Sequence, residues 1–136
     1  MTIQPTHVLL AVNGSLMRGL EFNPTLLAAG AVFVGEITTE PSYRLWSIND
    51  RYPAMVRVTS GGAAVAGEVW SVPVEGLVFV LEEEPPGLTI GKVKLADGSV
   101  VLGVLGEPAI CEGHREITAF GGWRAYISTL TSPETS

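Results

Sequence analysis

Cysteine and histidine are scarce in this chain of 136 residues, which contains one Cys and two His. A single thiol, Cys111, cannot form an internal disulfide, so nothing in the sequence indicates an oxidising compartment. We interpret it as an inert, partly buried thiol. His7 and His114 are distant in sequence and neither has a partner at the spacing of metal ligands. We therefore expect no metal site and no cofactor.

Charge is also sparse, and basic residues are the minority. Eight Lys and Arg against fourteen Asp and Glu give a formal net charge of −6, which excludes a basic stripe for nucleic acid. Although 46% of the residues are hydrophobic, no run reaches the roughly 18 apolar residues that span a bilayer. The first residues do not resemble a signal peptide. We expect a cytoplasmic protein with one domain over residues 1–130 and a frayed tail at 131–136.

The most informative stretch is 12–19, Val-Asn-Gly-Ser-Leu-Met-Arg-Gly, which follows an apolar run that predicts a buried strand over 7–13. Backbone N–H groups freed around Gly14 could converge on a carboxylate or phosphate. The side chains of Asn13, Ser15 and Arg18 would add further donors. The alternative is that Asn-Gly forms only a turn.

Alternation and turn signals predict a sheet-dominated fold. Asn23 and Pro24 predict a short helix, with Asn23 as its N-cap, that ends at Gly30. Asp97-Gly98 is the strongest hairpin signal. Strands are predicted over 31–38, 43–48, 54–58, 64–72, 89–95 and 99–105. The class is α+β, with a small, mainly antiparallel mixed β-barrel and short flanking helices.

Two further segments have secondary structure that must be argued from more than strand alternation. Propensity favours a strand over 77–81, whereas the glutamates at 82–84 suit a helix, so the pattern leaves 74–84 open. Near the C-terminus, a spacing of three and four residues predicts a helix whose apolar face contains Phe120, Trp123, Ile127 and Leu130.

Three consecutive glutamates, Glu82 to Glu84, usually form a solvated face. On a helix, however, successive side chains point about 100° apart, so Glu84 beside the Pro85 break could turn inward. A carboxyl group in an apolar cavity has a raised pKa and can act as a general acid or base.

These motifs together resemble the gamma-glutamyl cyclotransferase-like superfamily. The stretch 13–19 is similar to its Tyr-Gly-Ser-Leu loop, which binds the substrate's amino-acid end. From about residue 8 to 127 the chain is most similar to the C-terminal domain of allophanate hydrolases. The similar segments are 67–73, 85–91, 95–99 and, most specifically, 116–126. The resemblance implies a small mixed barrel with a polar cavity at its mouth and a helix over 74–84.

The chain departs from both patterns at the positions that would carry chemistry. Allophanate hydrolase domains typically have Gly-Ala-His-Leu-Ser-Gly in the first loop, and Ser15 replaces the histidine that is the proposed base. Cyclotransferases use a glutamate after the Trp-containing strand and its helix, and a reading without gaps from Trp70 leads to Glu84. Asn13 replaces the usual tyrosine of their loop. The resemblance implies Glu84 as the catalytic residue and Asn13, Gly14, Ser15 and Leu16 as substrate-binding residues. Two further substrate-binding residues are expected from their side chains, Arg18 for its charge and Tyr126 for its hydroxyl group.

Two functions are compatible with this pattern. One is a small-molecule enzyme acting on a compact amide or carboxylate, either gamma-glutamyl-like or derived from allophanate or urea. The other is a non-catalytic metabolite-binding or accessory module for a separately encoded amidase, because the resemblance is to a domain that normally follows an amidase domain and we expect this copy to be free-standing. The expected partners are a small anionic metabolite and either an amidase or a second copy of the chain. Arg124 and Glu116 are interpreted as structural.

Overall fold

The computed structural model describes residues 6–130, which form eight strands and four α-helices. The strands are β1 (His7–Val12), β2 (Val32–Thr38), β3 (Tyr43–Ile48), β4 (Tyr52–Arg57), β5 (Ala66–Pro73), β6 (Leu88–Lys94), β7 (Val100–Gly106) and β8 (Arg115–Glu116). The helices are α1 (Asn23–Ala28), α2 (Val74–Glu83), α3 (Pro108–Cys111) and α4 (Trp123–Leu130). The predicted tail at 131–136 lies outside the described residues.

The strands form two sheets that pack around a shared core. Five strands lie in the order β2-β5-β1-β7-β6, and three in the order β4-β3-β8. All the pairings of these strands are antiparallel except that of β1 with β7. Strand β4 lies beside β7, and Gly106 of β7 approaches Ala54 so closely that a Cβ on Gly106 would lie 2.6 Å from the Ala54 Cβ. The predicted mixed α+β class is confirmed, but among the described strands the two sheets do not close into a barrel.

The predicted strands are confirmed, and their alternating residues supply the core. Tyr43 and Leu45 of β3, Leu10 of β1 and Val72 of β5 are completely buried. Strand β4 begins at Tyr52, two residues before the predicted start at residue 54. The short strand β8 and helix α3 were not predicted, because each is too short to give a periodic pattern.

Segment 74–83 is a helix. The family resemblance implied this helix, whereas the propensity of residues 77–81 favoured a strand. Val80 is completely buried, and Gly76 lies so close to the Ala29 carbonyl that a Cβ there would collide with it. Packing against α1 therefore outweighs the β propensity of the apolar run. Helix α1 begins at Asn23 as expected, but Asn23 is not its cap: its side-chain amide donates a hydrogen bond to the Leu16 carbonyl. The prediction of a capping role was wrong.

The C-terminal helix starts three residues later than its apolar spacing suggests. Phe120 lies in a 3₁₀ turn, Thr118–Phe120, and Gly121 with φ 81° separates that turn from α4. Trp123 is a core residue, as predicted, whereas Leu130 is 45% exposed. Within residues 6–130, the helices are too short or too polar for any of them to cross a bilayer.

Candidate functional site

The loop after β1 and the end of α2 meet at a small cavity. Glu84, the residue that follows α2, faces the stretch 12–16 across this space. The cavity measures about 20 Å³, which is enough for about one water molecule or one ligand oxygen. Its walls are Val12, Asn13, Gly14, Ser15, Leu16, Phe22, Tyr52, Pro53, Glu84, Pro85, Leu88 and Val104. The sequence-predicted catalytic residue and four of the predicted binding residues therefore line one cavity.

Three consecutive carbonyl groups of this loop accept hydrogen bonds from the protein itself. The Gly14 carbonyl accepts a hydrogen bond from the Met17 N–H, and the Ser15 carbonyl accepts one from the Phe22 N–H. The Leu16 carbonyl accepts one from the Asn23 side-chain amide at 2.8 Å. These bonds fix the orientation of three consecutive peptide groups.

The backbone N–H groups of Gly14, Ser15 and Leu16 differ from the carbonyl groups in their hydrogen bonding. Among the hydrogen bonds of the described residues, none has the N–H of Gly14, Ser15 or Leu16 as its donor. Buried N–H groups are nearly always paired in folded proteins. Three adjacent N–H groups without a protein acceptor beside a cavity are the arrangement that binds a carboxylate or an oxyanion.

Glu84 is a half-buried carboxyl group with a perturbed pKa. Burial raises the pKa of Glu84 to about 7. Within residues 6–130 its carboxyl group forms neither a hydrogen bond nor an ion pair, so nothing offsets the cost of removing its charge from water. Near neutral pH this group can both give and accept a proton.

The cavity continues outward into a wider cleft of about 230 Å³. The cleft shares Phe22, Tyr52, Glu84 and Pro85 with the inner cavity. Arg51 is its cationic wall residue, and that guanidinium group also lies over the Phe22 ring and pairs with Glu21 at 3.2 Å. Thr25 and Glu83 complete the cleft. Together the two spaces would hold a compact ligand.

Two predicted donors in the loop are engaged in the fold. The Asn13 side-chain amide donates to the Val104 carbonyl at 2.9 Å, and the Ser15 hydroxyl donates to the Arg51 carbonyl at 2.7 Å. Both residues are buried, with 7% of their surface exposed. Their side chains tie the loop to β7 and to the β3–β4 turn, so the donors directed at a ligand would be the backbone N–H groups.

The structure does not place Arg18 and Tyr126 at the Glu84 cavity. The Arg18 guanidinium donates to Glu68 at 3.0 Å and to Glu36 at 2.7 Å. The Tyr126 hydroxyl donates to Asp50 at 2.7 Å, beneath the β3–β4 turn. Both residues lie close to the loop or turn that forms the site, but neither lines the cavity.

A larger groove of about 550 Å³ lies on the other side of the loop, between β5 and the start of α4. Glu68 and Arg124 are among its walls. Glu68 is 1% exposed, and it was not selected from the sequence, although a carboxylate within the apolar strand β5 was the available signal.

In the part of the chain that the structure describes, no group of His, Cys, Asp and Glu could hold a metal ion.

Comparison with known proteins shows which family this chain is similar to. The family model for the allophanate hydrolase C-terminal domain matches residues 8–128. The chain is 30% identical to the urea amidolyase of Saccharomyces cerevisiae over 95% of its own length, but it spans only 7% of that protein. It is similar throughout to the crystal structure of c4763, a uropathogenic E. coli-specific protein: 56% identity, TM-score 0.89, and coverage of 91% of this chain and 98% of that one.

A more distant likeness supports the broader fold assignment. The structure of an AIG2-like protein (ggact) from Mus musculus aligns with a TM-score of 0.60 and 23% identity. The alignment covers 78% of this chain and 80% of that one. At this identity the likeness shows the fold alone. The resemblance to the allophanate hydrolase C-terminal domain is confirmed, and the likeness to the mouse protein confirms the fold.

Proposed function

This chain belongs to the family of the allophanate hydrolase C-terminal domain, and from that membership we propose that it is a small-molecule enzyme. Its ligand is a compact amide or carboxylate, of the gamma-glutamyl type or derived from allophanate or urea. The site is the cavity between Glu84 and the loop at 13–16. The observation that carries the proposal is a half-buried carboxyl group with a pKa of about 7 beside three N–H groups that have no acceptor among residues 6–130.

The chemistry follows from these two components. The N–H groups of Gly14, Ser15 and Leu16 would hold a carboxylate oxygen or the negative oxygen that forms when an amide carbonyl is attacked. Ionised Glu84 would take the proton from the attacking amine or water and return it to the leaving nitrogen. The inner cavity admits only about one oxygen atom, so the remainder of the ligand would lie in the outer cleft.

The sequence predicted that Arg18 would supply the positive charge that binds the ligand. In this proposal a different residue supplies that charge. Arg18 is paired with two carboxylates on the other side of the loop. Arg51 lines the outer cleft and is the cation nearest to a ligand placed there. A ligand with a second anionic group would direct that group towards Arg51.

The experiment is a comparison of Glu84→Gln with Glu82→Gln against a panel of allophanate, other carboxylated ureas and gamma-glutamyl amides. Substrate consumption is followed by mass spectrometry. We expect Glu84→Gln to lose at least about a hundredfold in turnover, since general acid–base catalysis contributes roughly 10²–10⁴. Glu82 is exposed on the same helix end, so Glu82→Gln controls for the loss of a negative charge. Full turnover by Glu84→Gln would overturn the proposal.

A second candidate is an accessory module for a separately encoded amidase. It is supported by the much greater length of the matched urea amidolyase and by exposed apolar residues on the edge strand β2, where Val32 and Val34 are 63% and 56% exposed. Size-exclusion chromatography with a purified amidase from the same host tests this candidate. A complex that Val32→Lys disrupts would support it, and separate elution at micromolar concentrations would count against it.

A further inference from the structure

We infer that Glu68 and Arg124 are positioning residues that hold the loop at 13–18 in its ligand-binding form. The inference rests on the proposed function, because it concerns the N–H groups that would contact the ligand. Neither residue lines the Glu84 cavity. They act on the loop from its opposite side, through the backbone of Arg18.

Glu68 is a buried carboxylate with four hydrogen bonds from three parts of the chain. Its Oε1 accepts from the Arg18 backbone N–H at 3.0 Å and from the Trp70 indole at 3.1 Å. Its Oε2 accepts from Arg18 Nε at 3.0 Å and from Arg124 Nη2 at 3.2 Å. Burial alone raises the pKa of Glu68, but these hydrogen bonds outweigh it and hold the pKa below its usual value. The group therefore remains ionised and keeps all four bonds at neutral pH.

Arg124 completes the attachment of the loop. The same Nη2 that contacts Glu68 also donates to the Arg18 carbonyl. Both peptide groups that flank the Arg18 Cα are thus fixed, the N–H by β5 and the carbonyl by α4. Two positive side chains around one buried carboxylate leave no buried charge unpaired.

The position of Arg18 determines the position of the N–H groups that precede it. At the other end of the loop, Gly14 lies against Pro53. Between these two anchors the carbonyls of Gly14 and Ser15 are occupied. Their peptide planes, which carry the N–H groups of Ser15 and Leu16, therefore cannot rotate independently. A donor group contributes to binding only when it is fixed near the required geometry. Release of the Arg18 end would let the three N–H groups diverge.

The test uses Arg124, because it is half-exposed and its loss leaves Glu68 with three hydrogen bonds, two from Arg18 and one from Trp70. Arg124→Met keeps much of the apolar stem and removes both hydrogen bonds. Arg124→Lys keeps the positive charge but not the guanidinium group whose Nη2 reaches both acceptors. Arg57→Met is the control, because Arg57 is an exposed arginine on β4 whose ion pair with Glu40 is remote from the loop.

The measurement is a titration of each protein with acetate, at constant ionic strength, followed by the backbone amide resonances of residues 14–16. We expect acetate to shift these resonances in the unmodified protein and in Arg57→Met with the same Kd. Arg124→Met should raise the Kd for acetate by about tenfold or more, which corresponds to a loss of roughly 1.4 kcal/mol of binding free energy. Arg124→Lys should lie between them.

Two results would overturn the inference. One is an unchanged acetate Kd in Arg124→Met, even if its melting temperature falls, because that would assign Arg124 to stability alone. The other is the absence of acetate-dependent shifts at residues 14–16 in the unmodified protein. Neither result depends on turnover, so this failure is distinguishable from a failure of the proposed function, which the Glu84→Gln comparison measures.

Discussion

Gly14 lies directly against the ring of Pro53, so that a Cβ at position 14 would be 2.3 Å from Pro53 Cδ and 2.7 Å from Pro53 Cγ. This contact joins the loop after β1 to the first residues of β4. It also forms part of the wall of the Glu84 cavity. Glycine is required here for close approach, because no side chain fits between the loop and the proline ring.

Gly14→Ala is therefore expected to destabilise the fold by about 1–3 kcal/mol, the usual cost of inserting a methyl group into a packed site. Urea unfolding measures the change. Gly35→Ala is the matched control, since a Cβ at position 35 meets nothing within 4 Å. That variant should stay within about 0.5 kcal/mol of the unmodified protein. Equal stability of the two variants would mean that the loop does not pack against Pro53.

The pKa of Glu84 makes stability depend on pH in a particular direction. An ordinary glutamate titrates near 4.5, whereas the pKa of Glu84 in the folded protein is about 7. Between these values the folded state keeps a proton that the unfolded state has lost, so the free energy of unfolding falls as pH rises. The fall is complete above about pH 7 and is at most about 3 kcal/mol, from roughly 1.36 kcal/mol per pKa unit.

Glu84→Gln removes this titration, so the variant should be more stable than the unmodified protein at about pH 8 and nearly equal to it at about pH 4. Urea unfolding of both proteins at several pH values measures the difference. Glu82→Gln provides the control for a general change in net charge. A stability difference between Glu84→Gln and the unmodified protein that stays constant with pH would contradict the prediction.

Much of the fold could be predicted from local sequence because its strands alternate. The hairpin between β6 and β7 turns at Asp97-Gly98, and Gly98 has φ 90°, a conformation that glycine adopts without strain. Helix α2 could not be predicted in the same way. Its apolar run favours a strand, and the contact of Gly76 with Ala29 that favours the helix exists only once α1 and α2 have packed.

The turn between β3 and β4 depends on Tyr126. Asn49 and Asp50 both have positive φ, 56° and 57°, although neither is glycine. Two hydrogen bonds hold the pKa of Asp50 below its ordinary value, the larger effect coming from the Ser47 hydroxyl and the smaller from the Tyr126 hydroxyl. Tyr126→Phe removes one of these bonds and should cost about 1 kcal/mol of stability.

Thermal unfolding tests that expectation, with Tyr52→Phe as the control. Tyr52 also lies at this turn, but among the described residues its hydroxyl group has no hydrogen-bond partner. A double substitution of Tyr126→Phe and Asp50→Ala should lose less than the sum of the two single effects, because each removes one partner of the same hydrogen bond. Simple additivity would show that the bond contributes nothing.

Cys111 should react slowly in the folded protein. Its thiol is 6% exposed, and burial raises its pKa above the usual value. The thiolate is the reactive form, so both effects lower the rate of alkylation. Mass spectrometry should show modification by iodoacetamide at about pH 8 that is much slower in buffer than in concentrated urea. Equal rates in the two solutions would contradict the buried position.

The position of Glu84 beside the loop at 13–16 could be predicted from the sequence, but the other walls of the cavity could be predicted only in part. The loop at 13–16 and Glu84 belong to motifs that resemble known families, whereas Phe22, Tyr52 and Pro53 complete the cavity through contacts across long sequence distances. Arg18 illustrates a different limit of sequence reasoning. Its place in a donor-rich loop suggested a ligand contact, but the carboxylate of Glu68, fifty residues later in the chain, binds it instead.

The central claim is that Glu84 is a half-buried carboxyl group that exchanges a proton near neutral pH in the cavity formed with the loop at 13–16. Carbon-13 NMR of the glutamate carboxyl groups, with Glu84→Gln used to assign the signal, measures its titration directly. We predict a midpoint near pH 7. A midpoint near the ordinary value of 4.5 would contradict the account, because the carboxyl group would then be solvated and fully ionised at neutral pH.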